Sequence, residues 1–512
     1  MAFSTVVSAT LQGIRAELIR VEADVSNGLP VFHMVGYLSS EVKEAAERVK
    51  TAIRNCNIQI PPKKIVVNLA PATLRKRGAA FDLPVALAEL TSVGVFPAER
   101  LKGVMVVGEL GLNGNVQKVS GILPMVRKAK SLGYHTCLIP KQNVSEGALV
   151  SGVEILGAES LEQVCRYLKG ECEILPWTCS DGESSGNPLE SVLLDYSDIK
   201  GQEVVKRAVE VAVSGGHNLL FVGPPGSGKS MAAKRIPTIL PTPSMEESLE
   251  ITEVYSIVGK IDENRPLITG RPFRSVHHTT TKAALVGGGG VPVPGEISLA
   301  HGGVLFLDEL AEFQKNVLEV LRQPLEEHKI HLARSQGNYV FPADFMLVAA
   351  MNPCPCGNYP DHTKCICTPG QIRQYLGRVS QPFLDRMDIC VEAPRIPYEH
   401  LKGEQAQETS AQIRKRVCHV REIQRERYQG TEIVTNARLG VKELNAYCCL
   451  GPEEETLMKQ AFTTLGLTAR TYHKILRVAR TIADMEQSEA IQKSHLKEAI
   501  GYRTLDKKYW GR

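Results

Sequence analysis

The sequence predicts an α/β protein built from three units: an N-terminal α+β domain over residues 1–172, a central α/β domain over 191–394 and a helical C-terminal domain over 395–512. Three observations carry this reading. Residues 1–170 alternate short β-rich runs with helical periodicity. The central part repeats short apolar runs, each ending in glycine or polar residues, between helical stretches, as a parallel sheet covered by helices requires. Beyond Tyr398 the chain turns charged, amphipathic and helical. Pro176 to Pro188 is rich in Ser, Gly, Asp and Pro, which makes 173–190 a linker.

Composition narrows the class. An apolar content of 43% and a charged content of 23% suit folded domains, and 512 residues suffice for two to four cores. A net charge of +4 is too small to argue for nucleic acid by itself. No apolar run is long enough to cross a bilayer, and Met1 to Gly13 lacks the basic and apolar regions of a secretory signal. The expected location is therefore cytoplasmic, with no membrane partner. The 13 cysteines are then expected as thiols, and a tight cluster of them suggests metal more than disulfide.

In the first unit, Ile65–Leu69 and Val104–Val107 read as strands and Glu41–Asn55 as a helix. The second unit opens with an apolar run, Leu219–Val222. It feeds Gly223, Pro224, Pro225, Gly226, Ser227, Gly228, Lys229 and Ser230, the P-loop pattern G-x-x-x-x-G-K-[ST] in its required context. The glycines let backbone N–H groups converge on phosphate oxygens. Lys229 brings a charge to the β/γ-phosphates, and the Ser230 hydroxyl can reach Mg²⁺. The competing reading is a Gly/Pro turn without a ligand.

Thr279-Thr280-Thr281-Lys282 and four successive glycines, Gly287 to Gly290, follow. Such a glycine run predicts a mobile loop without a stiff element. Val304–Leu307 is a buried-strand pattern ending in Asp308 and Glu309, a Walker B arrangement. Asp308 would hold Mg²⁺ through water, and Glu309 would polarise the attacking water. Ile330–Ser335, a Gln336-Gly337-Asn338 turn and Tyr339–Phe341 read as a β-hairpin, with Lys329 and Arg334 as its cations. The run Phe345–Ala350 is a third apolar strand, with Asn352 just past its end to bond the γ-phosphate or the water.

Cys354, Cys356, Cys365 and Cys367 form C-x-C-x8-C-x-C within an insert, 354–367, that is poor in apolar residues. Four thiolates suit a closed, structural tetrahedral Zn²⁺ site, although C-x₂-C spacing is commoner. Four free thiols are the competing reading. Cys448 and Cys449 fall in a helical region and are expected to pack.

Further runs carry a resemblance. Pro294-Gly295-Glu296-Ile297-Ser298-Leu299-Ala300-His301 leads into the acidic strand, Phe383-Leu384-Asp385-Arg386-Met387-Asp388 follows Asn352, and Thr468-Ala469-Arg470 opens a C-terminal helix. Together these resemble AAA+ ATPases of the group that holds the magnesium-chelatase ATPase subunit, the MCM helicases and the ComM/YifB proteins. The resemblance to ComM/YifB spans essentially the whole chain.

The resemblance implies ATP and Mg²⁺ at the P-loop. Arg386 takes the place of an arginine finger reaching a neighbouring subunit's γ-phosphate, and Arg470 that of sensor 2 on a helical lid, with Arg378 and Arg477 as nearby alternatives. An arginine finger acting in trans implies a homohexameric ring. In related rings the insert at Lys282 faces the pore, and the hairpin sits where helicases place a pre-sensor-1 hairpin. Lys282, Lys329 and Arg334 are thus candidate DNA contacts, against the plain reading of an ordinary hairpin.

Residues 1 to about 170 resemble a Lon-protease-like domain through Lys76–Pro84 and Gly108–Gly121. In that alignment Ala80 stands where the nucleophilic Ser would be and Leu123 where the Lys base would be, so the domain is expected to lack peptidase activity. The family implies DNA helicase or branch-migration activity in homologous recombination of incoming DNA. A magnesium-chelatase-like motor subunit or a protein-remodelling ATPase are the alternatives.

Overall fold

A computed structural model describes residues 3–177, 194–290, 292–334, 337–396 and 407–511. Most of the expected linker, the hairpin-turn residues Ser335 and Gln336, and Tyr398 lie outside these residues. Among the described residues no helix is long and apolar enough to cross a membrane.

The N-terminal domain is a mixed seven-stranded sheet, in the order Phe32–Val35, Lys64–Ala70, Arg15–Ser26, Phe3–Gln12, Val104–Val106, Thr136–Pro140, Glu154–Ala158. Side-chain alternation divides its core between the two faces. Val106, Leu138 and Leu156 join the helices Ser40–Asn55 and Asp82–Ser92 on one face. Met105, Cys137 and Ile155 join the helix Ile122–Ser131 on the other. Ala80 and Leu123, the residues at the expected peptidase positions, are both buried in this second core. This is the Lon-protease-like α+β architecture.

The central domain holds five parallel strands in the order Phe273–Val276, Val304–Leu307, Met346–Met351, Leu219–Val222, Ile389–Glu392. The P-loop strand Leu219–Val222 and the acidic strand Val304–Leu307 are buried throughout, as a sheet covered on both faces demands. Leu219 and Phe221 face a core shared with the C-terminal helices Ser410–Arg427 and Ala469–Met485. Leu220 and Val222 face the opposite core, which the last helix, Thr504–Trp510, reaches through Leu505 and Tyr509. The lid therefore covers one face of the sheet, and the end of the chain covers part of the other.

The glycine-rich segment differs from its expectation. Lys282–Val286 is a short helix, and Gly287–Gly288 pairs antiparallel with Val293–Pro294. Gly287 has φ +101°, and a Cβ there would sit 2.3 Å from Val293 O. Glycine here permits a close backbone approach rather than freedom alone. The hairpin forms as expected, Lys329–Arg334 against Gly337–Pro342. Its middle touches the N-terminal domain, with Arg77 over the Tyr339 ring at 5.9 Å.

The helix Met245–Ile257 is the main bridge between the first two domains. Gly121 N–H donates to Ser256 O at 3.0 Å, and Arg127 pairs with Glu253 at 2.8 Å.

Candidate functional site

Because the sheet is parallel, everything that follows a strand gathers at one edge. The P-loop, Asp308, Glu309 and Asn352 all do so. Gly223 follows Val222 directly, and a Cβ there would lie 2.1 Å from Ala393 O, so no other residue fits. Gly226 and Gly228 take φ of +76° and +87°, which curls the loop over the start of the helix Lys229–Ile239. Gln202 ties the loop down by donating to Ser227 O at 3.0 Å and to Pro394 O at 2.6 Å.

Lys229 is 8% exposed, and its ammonium donates to Gly223 O at 2.7 Å, Pro224 O at 2.8 Å and Asn352 Oδ1 at 3.3 Å. Burial lowers its pKa to about 8, an effect that Asp308 partly offsets. The buried Ser227 Oγ has no hydrogen-bond partner among the described residues. An anion placed in the loop would give the Ser227 hydroxyl a partner and the Lys229 ammonium a countercharge.

Ser230 Oγ donates to Asp308 Oδ2 at 2.7 Å, which joins the two residues expected to hold Mg²⁺. Asp308 Oδ1 accepts the Glu309 N–H at 3.0 Å. Glu309 has φ +53° and an exposed side chain. Its Oε2 lies 3.1 Å from His278 Nδ1, without hydrogen-bond alignment. His278 follows the strand Phe273–Val276 and escaped sequence reasoning, although the His277-His278 pair at a strand end was a visible signal.

The arginines are elsewhere. Arg386 is 7% exposed and pairs with Glu326 at 2.6 Å, while its Nε donates to Arg322 O at 3.3 Å. Arg470, in the first turn of Ala469–Met485, reaches the same Glu326 oxygen at 3.5 Å. Both line an open cleft of about 1390 Å³, with Asn218, Gly303 and Met346 in its wall. Those three mark the N-terminal ends of the strands, and no residue of 223–230 lines the cleft. Strands of four residues span about 13 Å. Arg386 and Arg470 thus come together at the edge of the sheet opposite Lys229. Glu326, which sequence reasoning missed, has no motif to announce it. Of the alternatives, Arg477 donates to Leu439 O at 2.8 Å, and Arg378 pairs with Glu312 at 2.6 Å near the acidic strand.

The four clustered thiols converge. Cys354 Sγ lies 3.5 Å from Cys356 Sγ and 3.8 Å from Cys365 Sγ, and Cys356 Sγ lies 3.6 Å from Cys365 Sγ. Cys367 completes a set whose sulfurs all lie within 4.8 Å of one another. Tetrahedral Zn–S bonds of about 2.3 Å place sulfurs about 3.8 Å apart. Tyr359 N–H donates to Cys354 Sγ at 3.4 Å. The donor set fits a closed metal site. Cys448 is buried in the lid core and Cys449 is exposed.

Lys282, Lys329 and Arg334 are exposed. Lys282 starts its short helix, and Lys329 and Arg334 end one strand of the hairpin. Arg334 Nη1 donates to Ala333 O at 3.1 Å.

Comparison with known proteins identifies the family. Residues 195–401 match the family described as magnesium chelatase, subunit ChlI. Residues 407–503 match its C-terminal part, and 21–143 match the family described as subunit ChlI of Mg-chelatase. Competence protein ComM of Haemophilus influenzae is 43% identical over 99% of this chain and 98% of its own length. The chain belongs to the ComM/YifB group of magnesium-chelatase-like proteins. YifB of Escherichia coli is 42% identical and YifB of Salmonella typhimurium 41%, each over 99% of this chain and 98% of its own length. A ComM/YifB chain of this kind is an AAA+ ATPase.

Proposed function

We propose that this chain is one subunit of a homohexameric ring that couples ATP hydrolysis to DNA remodelling, of the helicase or branch-migration type in homologous recombination. The single observation behind the ring is the separation of Lys229 from Arg386 and Arg470 across the sheet. A site finished by those arginines takes them from the next subunit.

At the P-loop, backbone N–H groups from Gly226 to Ser230 and the Lys229 ammonium bind the triphosphate. To do so, Lys229 exchanges its bonds to Gly223 O and Pro224 O for phosphate oxygens. Ser230 and Asp308 hold Mg²⁺, which supplies charge neutralisation for phosphoryl transfer. Glu309 takes up the proton of the attacking water, and Asn352 orients that water or the γ-phosphate. Arg386 and Arg470 of the neighbouring subunit stabilise the developing charge. The four thiolates hold one structural Zn²⁺.

DNA is the client that the exposed cations Lys282, Lys329 and Arg334 and the near full-length likeness to a competence protein support. The second reading, a motor for metal insertion or for a protein client, draws on the magnesium-chelatase family description. ATPase rates with and without single-stranded and branched DNA, at low salt, decide between them. Stimulation and binding are expected, and absence of both favours the second reading.

A further inference from the structure

We propose that the four-cysteine knuckle, residues 354–367, is the positioning element of the nucleotide site, so that metal bound there sets how well the chain handles ATP. The proposal rests on the reading of the four thiolates as a Zn²⁺ site.

Two contacts join the knuckle to the site. The first is covalent: Cys354 is two residues beyond Asn352, and its side chain is fully buried. A metal that fixes Cys354 Sγ also fixes the chain that aims Asn352, which touches Lys229 at 3.3 Å. The second contact is through space. Gly357 has φ +78°, and a Cβ there would lie 2.3 Å from Pro225 Cδ. The knuckle's backbone therefore lies flush against the P-loop.

Apart from metal, the knuckle is held by its cysteines and Tyr359, which pack on one core of the central sheet, and its tip carries little apolar surface of its own. Between its two cysteine pairs it carries Asn358, Pro360, Asp361, His362, Thr363 and Lys364, none of which supplies an apolar core. Tyr359 is its one large ring there, packed edge-on at 6.0 Å against Tyr509 of the last helix. Asn358 Oδ1 accepts from Arg395 at 2.9 Å. Four metal bonds would lock those cysteines to one another as well as to the core, and losing them loosens both supports of the P-loop together. The metal has no open coordination position in a four-thiolate site, so its effect on ATP is one of position.

The test uses the full-length chain. Metal analysis of the purified protein is expected to find about one Zn²⁺ per chain. The protein is then stripped with a chelator, desalted, resupplied with Mg²⁺ and assayed for ATPase activity before and after adding Zn²⁺ alone. Expected are a loss of at least about tenfold in kcat/KM on stripping and recovery on refilling. Full activity of the stripped protein overturns the coupling while leaving the Zn²⁺ reading intact. Metal-free native protein overturns the Zn²⁺ reading and this proposal with it.

Gly357→Ala keeps all four thiolates but also strains the backbone at φ +78°, so a Pro225→Ala background separates the contact from that strain. The single variant is expected to retain its metal and still lose ATPase activity, with KM for ATP raised as Pro225 is displaced. Adding Pro225→Ala removes the atom that the new methyl meets. The loss caused by Gly357→Ala is therefore expected to be smaller in the Pro225→Ala background than in the native one. An unchanged KM and kcat in metal-loaded Gly357→Ala, or an equal loss in both backgrounds, counts against the contact.

Discussion

Arg386 and Arg470 meet at one carboxylate oxygen, Glu326 Oε1, at 2.6 and 3.5 Å, on the edge of the central sheet away from Lys229. One comes from the turn before the strand Ile389–Glu392 and the other from the lid, so the core and the lid meet at this carboxylate. Both are expected to serve the same neighbouring site. Arg386→Ala is expected to lower ATP turnover by about a thousandfold. Mixing Arg386→Ala with Lys229→Ala subunits should restore part of the activity, and so should mixing Arg470→Ala with Lys229→Ala. An Arg470 acting within its own subunit gives no rescue in the second mixture, because no site then has both groups.

Lys229 gives a pH prediction. Burial holds its pKa at about 8 in the nucleotide-free chain. Below that pH the ammonium is already charged. Above it a growing fraction is neutral and must gain a proton when phosphate oxygens arrive. Mg-ATP binding is therefore expected to take up protons at pH 8.5 and few at pH 6.5. Titration calorimetry in buffers of different ionisation enthalpy reads this directly. Equal proton uptake at both pH values contradicts the assignment, as does near-normal hydrolysis by Lys229→Ala.

Much of this site is legible in the sequence because its residues sit at the ends of strands. Gly223–Ser230, Asp308 and Asn352 each follow an apolar run, and a parallel sheet must bring such positions to one edge. The cysteine knuckle is legible too, because four thiols in one short segment have few other purposes. Glu326 is not, since its role depends on where a lid helix settles, and no local pattern encodes that. The Gly287–Gly290 run misleads for a related reason. A glycine run predicts freedom, whereas Gly287, in the short ladder with Val293–Pro294, serves close backbone approach. The contact of Gly357 with Pro225 joins segments more than a hundred residues apart, and only the folded chain displays it.

Glu309 lies one residue past Asp308, the proposed Mg²⁺ ligand, and projects into solvent from a left-handed backbone position. Its amide isostere keeps the shape and loses the base. Glu309→Gln is expected to bind ATP with near-native affinity and to hydrolyse it at least about a hundredfold more slowly. Equilibrium binding of a fluorescent ATP analogue and single-turnover hydrolysis separate the two effects. A variant that loses binding as well would place Glu309 among the nucleotide-holding groups.

The join between the core and the lid carries its own pH dependence. His217, just before the P-loop strand, is fully buried and bonds Thr481 of the lid helix through Nε2 at 2.8 Å. Burial lowers its pKa to about 4. Asp388 opposes that shift from 3.9 Å, while Arg477, Arg421 and Lys474 reinforce it. The folded chain therefore binds fewer protons here than the unfolded chain between about pH 4 and 6.5. The stability conferred by the neutral imidazole is complete above pH 6.5 and is lost as pH falls towards 4, by roughly 3 kcal/mol in all. By pH 5 the loss from this site alone is about 2 kcal/mol. His217→Gln cannot charge, so its urea midpoint is expected to fall less between pH 7.5 and 5 than that of the native chain. Parallel pH profiles for the two proteins would remove His217 as the source of acid sensitivity.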